Sequence, residues 1–283
     1  MNILAFDTAT EVLSIALRTA PESETDTPRA GRPVPRPYIY TETRDNGLKH
    51  SRMLMPLVGR ILDDAAVRLQ DVDLVACTRG PGSFTGLRIG MATAKGLAAA
   101  IASARKLEEP PIVSVSTLDV MAHALSAGQS AVVPVIDGRK NRFYAAIFRA
   151  GIRLTTDLDL AATEIMHRID QNSPSPPAGS PNGPLGPQPG SVLITGPHAD
   201  LFASRLDDPS RIVVDPAFRR GHAESLIPLA AAAYQKHGPD APGQGPVYVR
   251  SSDAELVGPI LPECLSSDLE CPSSGRGPGT ESP

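Results

Sequence analysis

The sequence predicts an α/β protein built from two similar halves, and three observations carry that prediction. Apolar runs of strand length alternate with longer runs of helical periodicity along most of the chain. Several neighbouring strands are separated only by short polar turns, which implies antiparallel pairing beside the parallel pairing of strand–helix–strand units. One pattern also occurs twice. Ile3-Leu4-Ala5-Phe6-Asp7 and Val133-Pro134-Val135-Ile136-Asp137 are apolar runs that end in Asp, and in each copy the next strand begins six residues later, at Leu13 or Phe143. A duplicated hairpin followed by strands and helices reads as an internal repeat. Coincidence between two ordinary hairpins is the alternative.

In chain order, strands are expected at residues 3–6 and 12–17, joined by the turn DTATE, and a third at 38–43. A helix over 49–67 follows, because Met53, Leu54, Leu57, Val58, Ile61 and Leu62 recur at helical spacing. Met55 and Gly59 fall off that apolar face. Residues 72–77 (VDLVAC) form a strand, and RGPGSFTGLRIG then turns the chain into an alanine-rich helix over 85–103. Strands at 112–115, 132–136, 143–149, 192–195 and 212–215 alternate with helices at 117–126, 161–170, 199–206 and 223–237. Pro- and Gly-rich runs at 21–37, 172–191 and 238–246, and the tail after 262, cannot bury enough apolar surface to offset their ordering entropy. They read as loop insertions and a disordered end. The expected organisation is a first lobe of residues 1–107 with about 223–255, a second lobe of 108–222 carrying the insertion 172–191, and a disordered tail at 256–283.

Composition narrows the function classes. The 283 residues suffice for a sizeable core. With 4% aromatics and no Trp, that core is aliphatic. A formal charge of −4 argues against a protein that binds nucleic acid alone through a broad basic face. Cys77, Cys264 and Cys271 are odd in number and lack zinc-ligand spacing. The N-terminus lacks the basic and long apolar regions of a signal peptide, and no apolar run reaches 18 residues. A reduced cytoplasmic compartment is expected.

Two strand-end acids are the first candidates for chemistry. Asp7 and Asp137, beside turn N–H groups, have the placement that holds a hydrated Mg²⁺ against phosphates. The alternative is that each caps its own turn. The RGPGSFTGLRIG stretch is no Walker loop, since no Lys follows its last glycine, and Pro81 removes a donor. Its glycines continue into the helix, where Gly86, Gly90, Ala94 and Ala98 recur every four residues as one small stripe. Two glycines inside a helix cost roughly 1 kcal/mol each relative to Ala, and a close backbone approach is what they allow in exchange. The neighbour is either part of the same chain or a helix of another. Ser83 and Thr85 lack a His–Asp pair nearby in sequence, and the six histidines form neither HxxxH nor HExxH. His50 and His222 each precede a helix, where capping is the commoner role. The clusters RKNR (139–142) and RRGH (219–222) read as solvated surface.

Taken together, ILAFDTATEVLSIAL, RGPGSFTGLRIGMATAKGLA, VSTLDVMA, VIDGRKNRFYAAIF and PVYVRSSDAE resemble, in order, the TsaB (YeaZ) family, accessory subunits of bacterial tRNA threonylcarbamoyladenosine biosynthesis. The resemblance covers roughly 1–20, 38–150 and 192–255. It implies two ribonuclease-H-like lobes of the actin/sugar-kinase/Hsp70 ATPase superfold. It also implies pairing with the related transferase TsaD, participation of the ATPase TsaE, a homodimer when alone, contact with tRNA only through the complex, and no catalytic role of its own. The metal-binding HxxxH of TsaD is matched here by Thr117 and Met121, which do not make a hard-metal site. Asp7, Thr8, Asp137, Gly138 and Gly196 then read as remnants of a nucleotide site. No cofactor is expected on this chain alone, with ATP placed only at the shared complex. The two central helices, through Met53, Met55, Leu57, Gly59, Gly86, Gly90 and Ala94, read as the surface that pairs with TsaD. An autonomous ATPase or small-molecule kinase of the same superfold is the competing reading.

Overall fold

The computed structural model describes residues 1–20, 38–45, 47, 49–125, 131–172 and 191–249. The expected insertion at 21–37, most of that at 172–191, the tail 256–283, and Cys264 and Cys271 lie outside the described residues.

The first sheet contains β1 (Ile3–Asp7), β2 (Val12–Arg18), β3 (Ile39–Asp45), β4 (Leu74–Gly80) and β5 (Ile112–Ser116) in the order β3-β2-β1-β4-β5. β1, β2 and β3 pair antiparallel, whereas β4 and β5 run parallel to β1. The second sheet draws on β6 (Ala131–Asp137), β7 (Phe143–Ala145), β8 (Phe148–Arg149), β9 (Ile152–Arg153), β10 (Leu158–Leu160), β11 (Val192–Thr195) and β12 (Ile212–Val214). Its main path is β10-β7-β6-β11-β12, and β8 and β9 form a side branch on β6. Strand for strand this repeats the first sheet. A central strand ending in Asp pairs antiparallel with its hairpin partner on one side and parallel with a later strand on the other. The repeat in the sequence is thus a repeat of topology.

Among the described residues, six helices cover these sheets: α1 (His50–Asp64), α2 (Phe84–Arg105), α3 (Thr117–His123), α4 (Ala162–Gln171), α5 (Ala199–Ala203) and α6 (Ala223–His237). α1 and α2 bury Leu54, Leu57, Val58, Ile61, Met91, Leu97 and Ile101 against Phe6, Leu13, Ile15 and Val75 on one face of the first sheet. α6 returns from the second half to the opposite face, with Leu226, Ile227 and Ala230 on Ile3, Ala5 and Ala76. α4 and α5 pack Ile165, Ile169 and Phe202 on Val133, Phe143 and Ile194. The other face of the second sheet meets α3 through Leu118 and Met121. Among the described residues no helix is long and apolar enough to cross a membrane.

Some expectations need correction. β5 is hydrogen-bonded to β4, so the change of sheet follows Ser116 and does not fall at 107/108. The strand expected at 143–149 is split into β7 and β8. Both keep one register on β6, and the gap lies opposite Val133 and Pro134, where Pro134 has no N–H for the ladder. The fourth strand begins at Leu74 because the Asp73 and Leu74 N–H groups both turn to the Asn2 carbonyl. A 3₁₀ turn at Leu69–Asp71 and the strands β9 and β10 add to the expected elements. The run 238–246 is also no free loop. The Asp240 carboxylate accepts from the Ser114 N–H (2.8 Å) and hydroxyl (2.5 Å), and the Asp240 N–H donates to the Ile112 carbonyl. The Val247 N–H donates to the Arg79 carbonyl. This strap satisfies polar groups along the exposed edge of β5. It ends with Tyr248 against Phe84 (ring centroids 4.9 Å apart), and the Arg88 guanidinium lies 3.7 Å from the Phe84 centroid.

Candidate functional site

Residues 7–10 of the turn after β1 bond mainly to their own half of the chain. Asp7 is buried, and its Oδ1 accepts from the Ala9 N–H (2.9 Å) and the Thr78 hydroxyl (2.8 Å). The Thr8 hydroxyl donates to the Gly86 carbonyl (2.8 Å), and the Ala9 carbonyl accepts from the Ser83 N–H (2.6 Å). The His50 imidazole reaches the Thr10 carbonyl (2.6 Å), so the first residue of α1 anchors this turn and does not cap its helix. Ser83 caps α2, accepting from the Gly86 N–H.

These contacts decide between the two readings of the glycine stripe. A Cβ on Gly86 would stand 2.1 Å from the Thr8 carbonyl oxygen, and one on Gly90 would stand 2.2 Å from Thr8 Oγ1. Gly86, Gly90 and Ala94 are buried inside this chain. All three are therefore corrected as partner-surface residues: the β1–β2 turn occupies the space that Gly86 and Gly90 leave, and Ala94 lies in the core. Leu57 is corrected likewise, being in the core, and Met53 is half-buried on that core. Met55 is 50% exposed, and Gly59 is exposed with open space around its Cβ position. Gly96, Ala99, Ala100 and Ser103 give α2 an exposed flank of small residues.

The turn after β6 follows the same logic with bulkier residues. Asp137 Oδ1 accepts from the Arg139 N–H (2.8 Å), and the Arg139 guanidinium returns to the same carboxylate (3.4 Å). Arg139, Lys140 and Asn141 all hold positive φ, between 53° and 64°. The Gly138 N–H donates to the Arg142 carbonyl. Gly196 holds φ +96°, and a Cβ there would stand 2.5 Å from the Val135 carbonyl oxygen. A third strand-end acid, Asp215 after β12, repeats the device by accepting from the Ala217 N–H, the Thr195 hydroxyl and Arg220.

An ionic network joins the two hairpin turns. The Asp137 N–H donates to His198 Nδ1 (3.1 Å), which leaves the ring proton on Nε2, 3.2 Å from Glu11 Oε1. Arg219 reaches Glu11 (3.3 Å), the Pro197 carbonyl (3.2 Å) and, through two nitrogens, Asp45 (2.6 and 2.9 Å). Burial pushes the Glu11 carboxyl up, but the His198 hydrogen bond, the turn backbone and the charge of Arg219 together hold it at about 2. The hydrogen bond from Arg219 holds Asp45 below the usual carboxylate range. Arg219 and Arg220 are therefore partners inside the fold and not solvated surface. Sequence reasoning missed Glu11, Asp45 and Arg219 as a group because Arg219 lies 174 and 208 positions from its two acids. Behind them His222 is buried, and burial pushes its pKa down.

At the place matched to HxxxH, Thr117 and Met121 are both buried, and Met121 Sδ lies against Gly196. Among the described residues no three His, Cys, Asp or Glu side chains are grouped to hold a metal ion. Cys77 is buried and unbonded to another cysteine, and burial pushes its thiol pKa up, the reverse of an activated nucleophile.

Residues 45–184 match the family model described as "TsaD: tRNA N6-adenosine threonylcarbamoyltransferase". The tRNA threonylcarbamoyladenosine biosynthesis protein TsaB of Haemophilus influenzae is 33% identical over 149 residues, which is 51% of this chain and 52% of that protein. The protein of the same name from Escherichia coli is 34% identical over 151 residues, 53% of this chain and 55% of that one. The chain thus spans about half the length of these curated relatives. Among solved structures, YeaZ from Pseudomonas aeruginosa superposes with a TM-score of 0.61 at 26% identity, covering 88% of this chain and 99% of its own. The fold is the actin-like ATPase superfold, with a ribonuclease-H-like sheet in each half.

Proposed function

We propose, on the premise that the chain is a homologue of the TsaB (YeaZ) proteins, that it takes part in tRNA threonylcarbamoyladenosine biosynthesis as the non-catalytic subunit that pairs with a TsaD-type transferase. The observation that carries the non-catalytic part is the state of the two hairpin turns. A phosphate-binding turn keeps N–H and hydroxyl groups turned outward. Here Asp7, Thr8, Ala9 and Asp137 bond to their own chain, and Glu11, His198 and Arg219 bridge the space between the turns. We read the chain as binding no nucleotide or catalytic metal alone, as cytoplasmic, and as reaching tRNA through the complex. A TsaE-type ATPase completes that complex, and the free chain forms a homodimer.

The pairing surface in this reading is the solvent side of α1 and α2. Met55 supplies an exposed adaptable apolar group, and Gly59, Gly96 and Ala99 supply flat backbone for close approach. The test is a reconstitution with the transferase, the ATPase, the adenylate-forming enzyme, ATP, threonine, bicarbonate and unmodified tRNA, omitting each protein in turn. Product should require this chain, and the chain alone should make none. Gly59→Arg, whose Cβ meets no atom within 4 Å among the described residues, should not lower the unfolding midpoint but should lose both co-elution with the transferase and product. Equal product without the chain would remove the proposal and bring forward an autonomous ATPase or kinase.

A further inference from the structure

We propose that the crevice at the carboxyl ends of β4 and β5 binds a small oxyanion carrying an apolar body, with Arg79 as its counter-charge. The cavity holds about 450 Å³ and is walled by Arg79, Gly80, Ser116, the loop Arg153 to Asp157 and Val247 of the strap. That volume lies within the range of small-molecule sites, roughly 300–1,000 Å³. The position outside the carboxyl ends of parallel strands is where open α/β sheets hold ligands. None of the turn residues 7–11 or 137–142 lines it, so it is separate from the interlobe network.

The lining holds one cation without a partner among the described residues, and hydroxyl protons left over. Arg153 is spent. It pairs with Asp119 (2.7 Å) and Asp157 and donates to the Thr155 carbonyl (2.7 Å) and Ser116 Oγ (3.3 Å). One cation is thus shared by two carboxylates, Asp157 in the wall and Asp119 outside it, and Arg153 has no charge left to offer a ligand. Among the described residues the Arg79 guanidinium has no hydrogen bond or carboxylate partner, although Arg79 is half-buried and its carbonyl holds the strap. Ser116 Oγ already accepts from Arg153, and Thr155 Oγ1 already accepts from the Ile147 N–H, so each hydroxyl keeps its proton to give. Thr156 lines the same space. A planar guanidinium and hydroxyl donors lining one cavity match a carboxylate or a phosphate. Beside them Leu154 and Val247 are each 39% exposed, an apolar wall for the rest of such a molecule.

The test is a titration of the full chain, isotope-labelled, with sodium phosphate, sodium acetate and sodium butyrate at constant ionic strength, followed by amide chemical shifts. Saturable shifts at Ser116, Thr155, Thr156 and Val247 are expected with at least one anion. Phosphate alone would mark a phosphoryl ligand, and acetate and butyrate alone a carboxylate, with butyrate the tighter. Arg79→Gln removes no side-chain bond among the described residues and should weaken binding by about tenfold or more. Thr156→Val should weaken it less and leave the unfolding midpoint unchanged. Shifts that fail to saturate with every anion, or that are the same in Arg79→Gln, would overturn the proposal.

Discussion

Alanine at Gly90 should destabilise the protein, and removing the Thr8 side chain should cancel most of that loss. The new Cβ would lie 2.2 Å from Thr8 Oγ1, which is held in place by its bond to the Gly86 carbonyl. Thr8 must then leave its rotamer and lose that bond. Forcing a methyl into a packed site costs about 1–3 kcal/mol, and the bond contributes about 1 kcal/mol. Helix propensity returns about 1 kcal/mol to Ala over Gly. The net loss for Gly90→Ala is therefore about 2 kcal/mol, or about 4–8 °C in a chain of this size. Thr8→Ala alone forfeits the bond, about 1 kcal/mol. In the double variant the 2.2 Å clash is gone, the residue 8 Cβ lies at 3.4 Å from the Gly90→Ala methyl, and the propensity gain remains. The double variant should thus be about as stable as the parent, with a coupling of about 3 kcal/mol between the two sites. Urea unfolding of the four proteins, followed by far-UV circular dichroism, measures it. Additive losses, or a Gly90→Ala protein as stable as the parent, would refute the argument that the β1–β2 turn fills this stripe.

Two other outcomes follow from the same geometry. Gly59→Ala and Gly96→Ala, whose Cβ positions meet nothing within 4 Å among the described residues, should raise the unfolding midpoint, with a stability gain of up to about 1 kcal/mol each; a loss at either would mean that helix face is packed in the free chain. Glu11→Gln should change how stability depends on acid. The Glu11 carboxyl is lowered from 4.5 to about 2 in the fold, so its contribution is present above 4.5 and is lost as the pH falls through about 2. The parent should lose stability across that window more steeply than the variant, and parallel urea midpoints from about pH 7 to about pH 2.5 would show that the bridge to His198 and Arg219 contributes nothing.

The elements were legible because they are local. The apolar run of 12–17 and the helical spacing in 49–67 are written in adjacent residues, and β2 and α1 appear where those patterns stand. The duplicated hairpin was legible for the same reason, since strand, Asp and strand all fall within 15 residues in each copy. The placement of the glycines was not. Gly86, Gly90 and Gly96 share one helix and look alike in sequence, but two face Thr8 and one faces solvent. Which face is covered depends on a turn 78 positions away. The 238–246 run misled for a related reason. Its composition cannot support a core, but the strap needs only Asp240 and a few backbone bonds to follow an edge that would otherwise be unpaired.

The glycines of RGPGSFTGLRIG and the engaged state of Asp7 are one fact seen from two sides. Gly82, Gly86 and Gly90 let the β1–β2 turn approach α2 more closely than any side chain would permit, with Ala9 and Thr8 atoms at 2.1 to 2.3 Å from the missing Cβ positions. At that distance the hydroxyl of Thr8 and the carbonyl of Ala9 find partners at the start of α2, and Asp7 turns inward to Ala9 and Thr78. A turn held from both ends cannot also open its donors to a phosphate without breaking those bonds, each worth about 1 kcal/mol. The same packing aims the stripe inward and leaves Met55, Gly59 and Gly96 outside. Under the proposed pairing, a glycine needed for folding and a glycine needed for association therefore sit roughly one and a half helical turns apart on α2. Substitutions at Gly90 would report on the first and substitutions at Gly96 on the second.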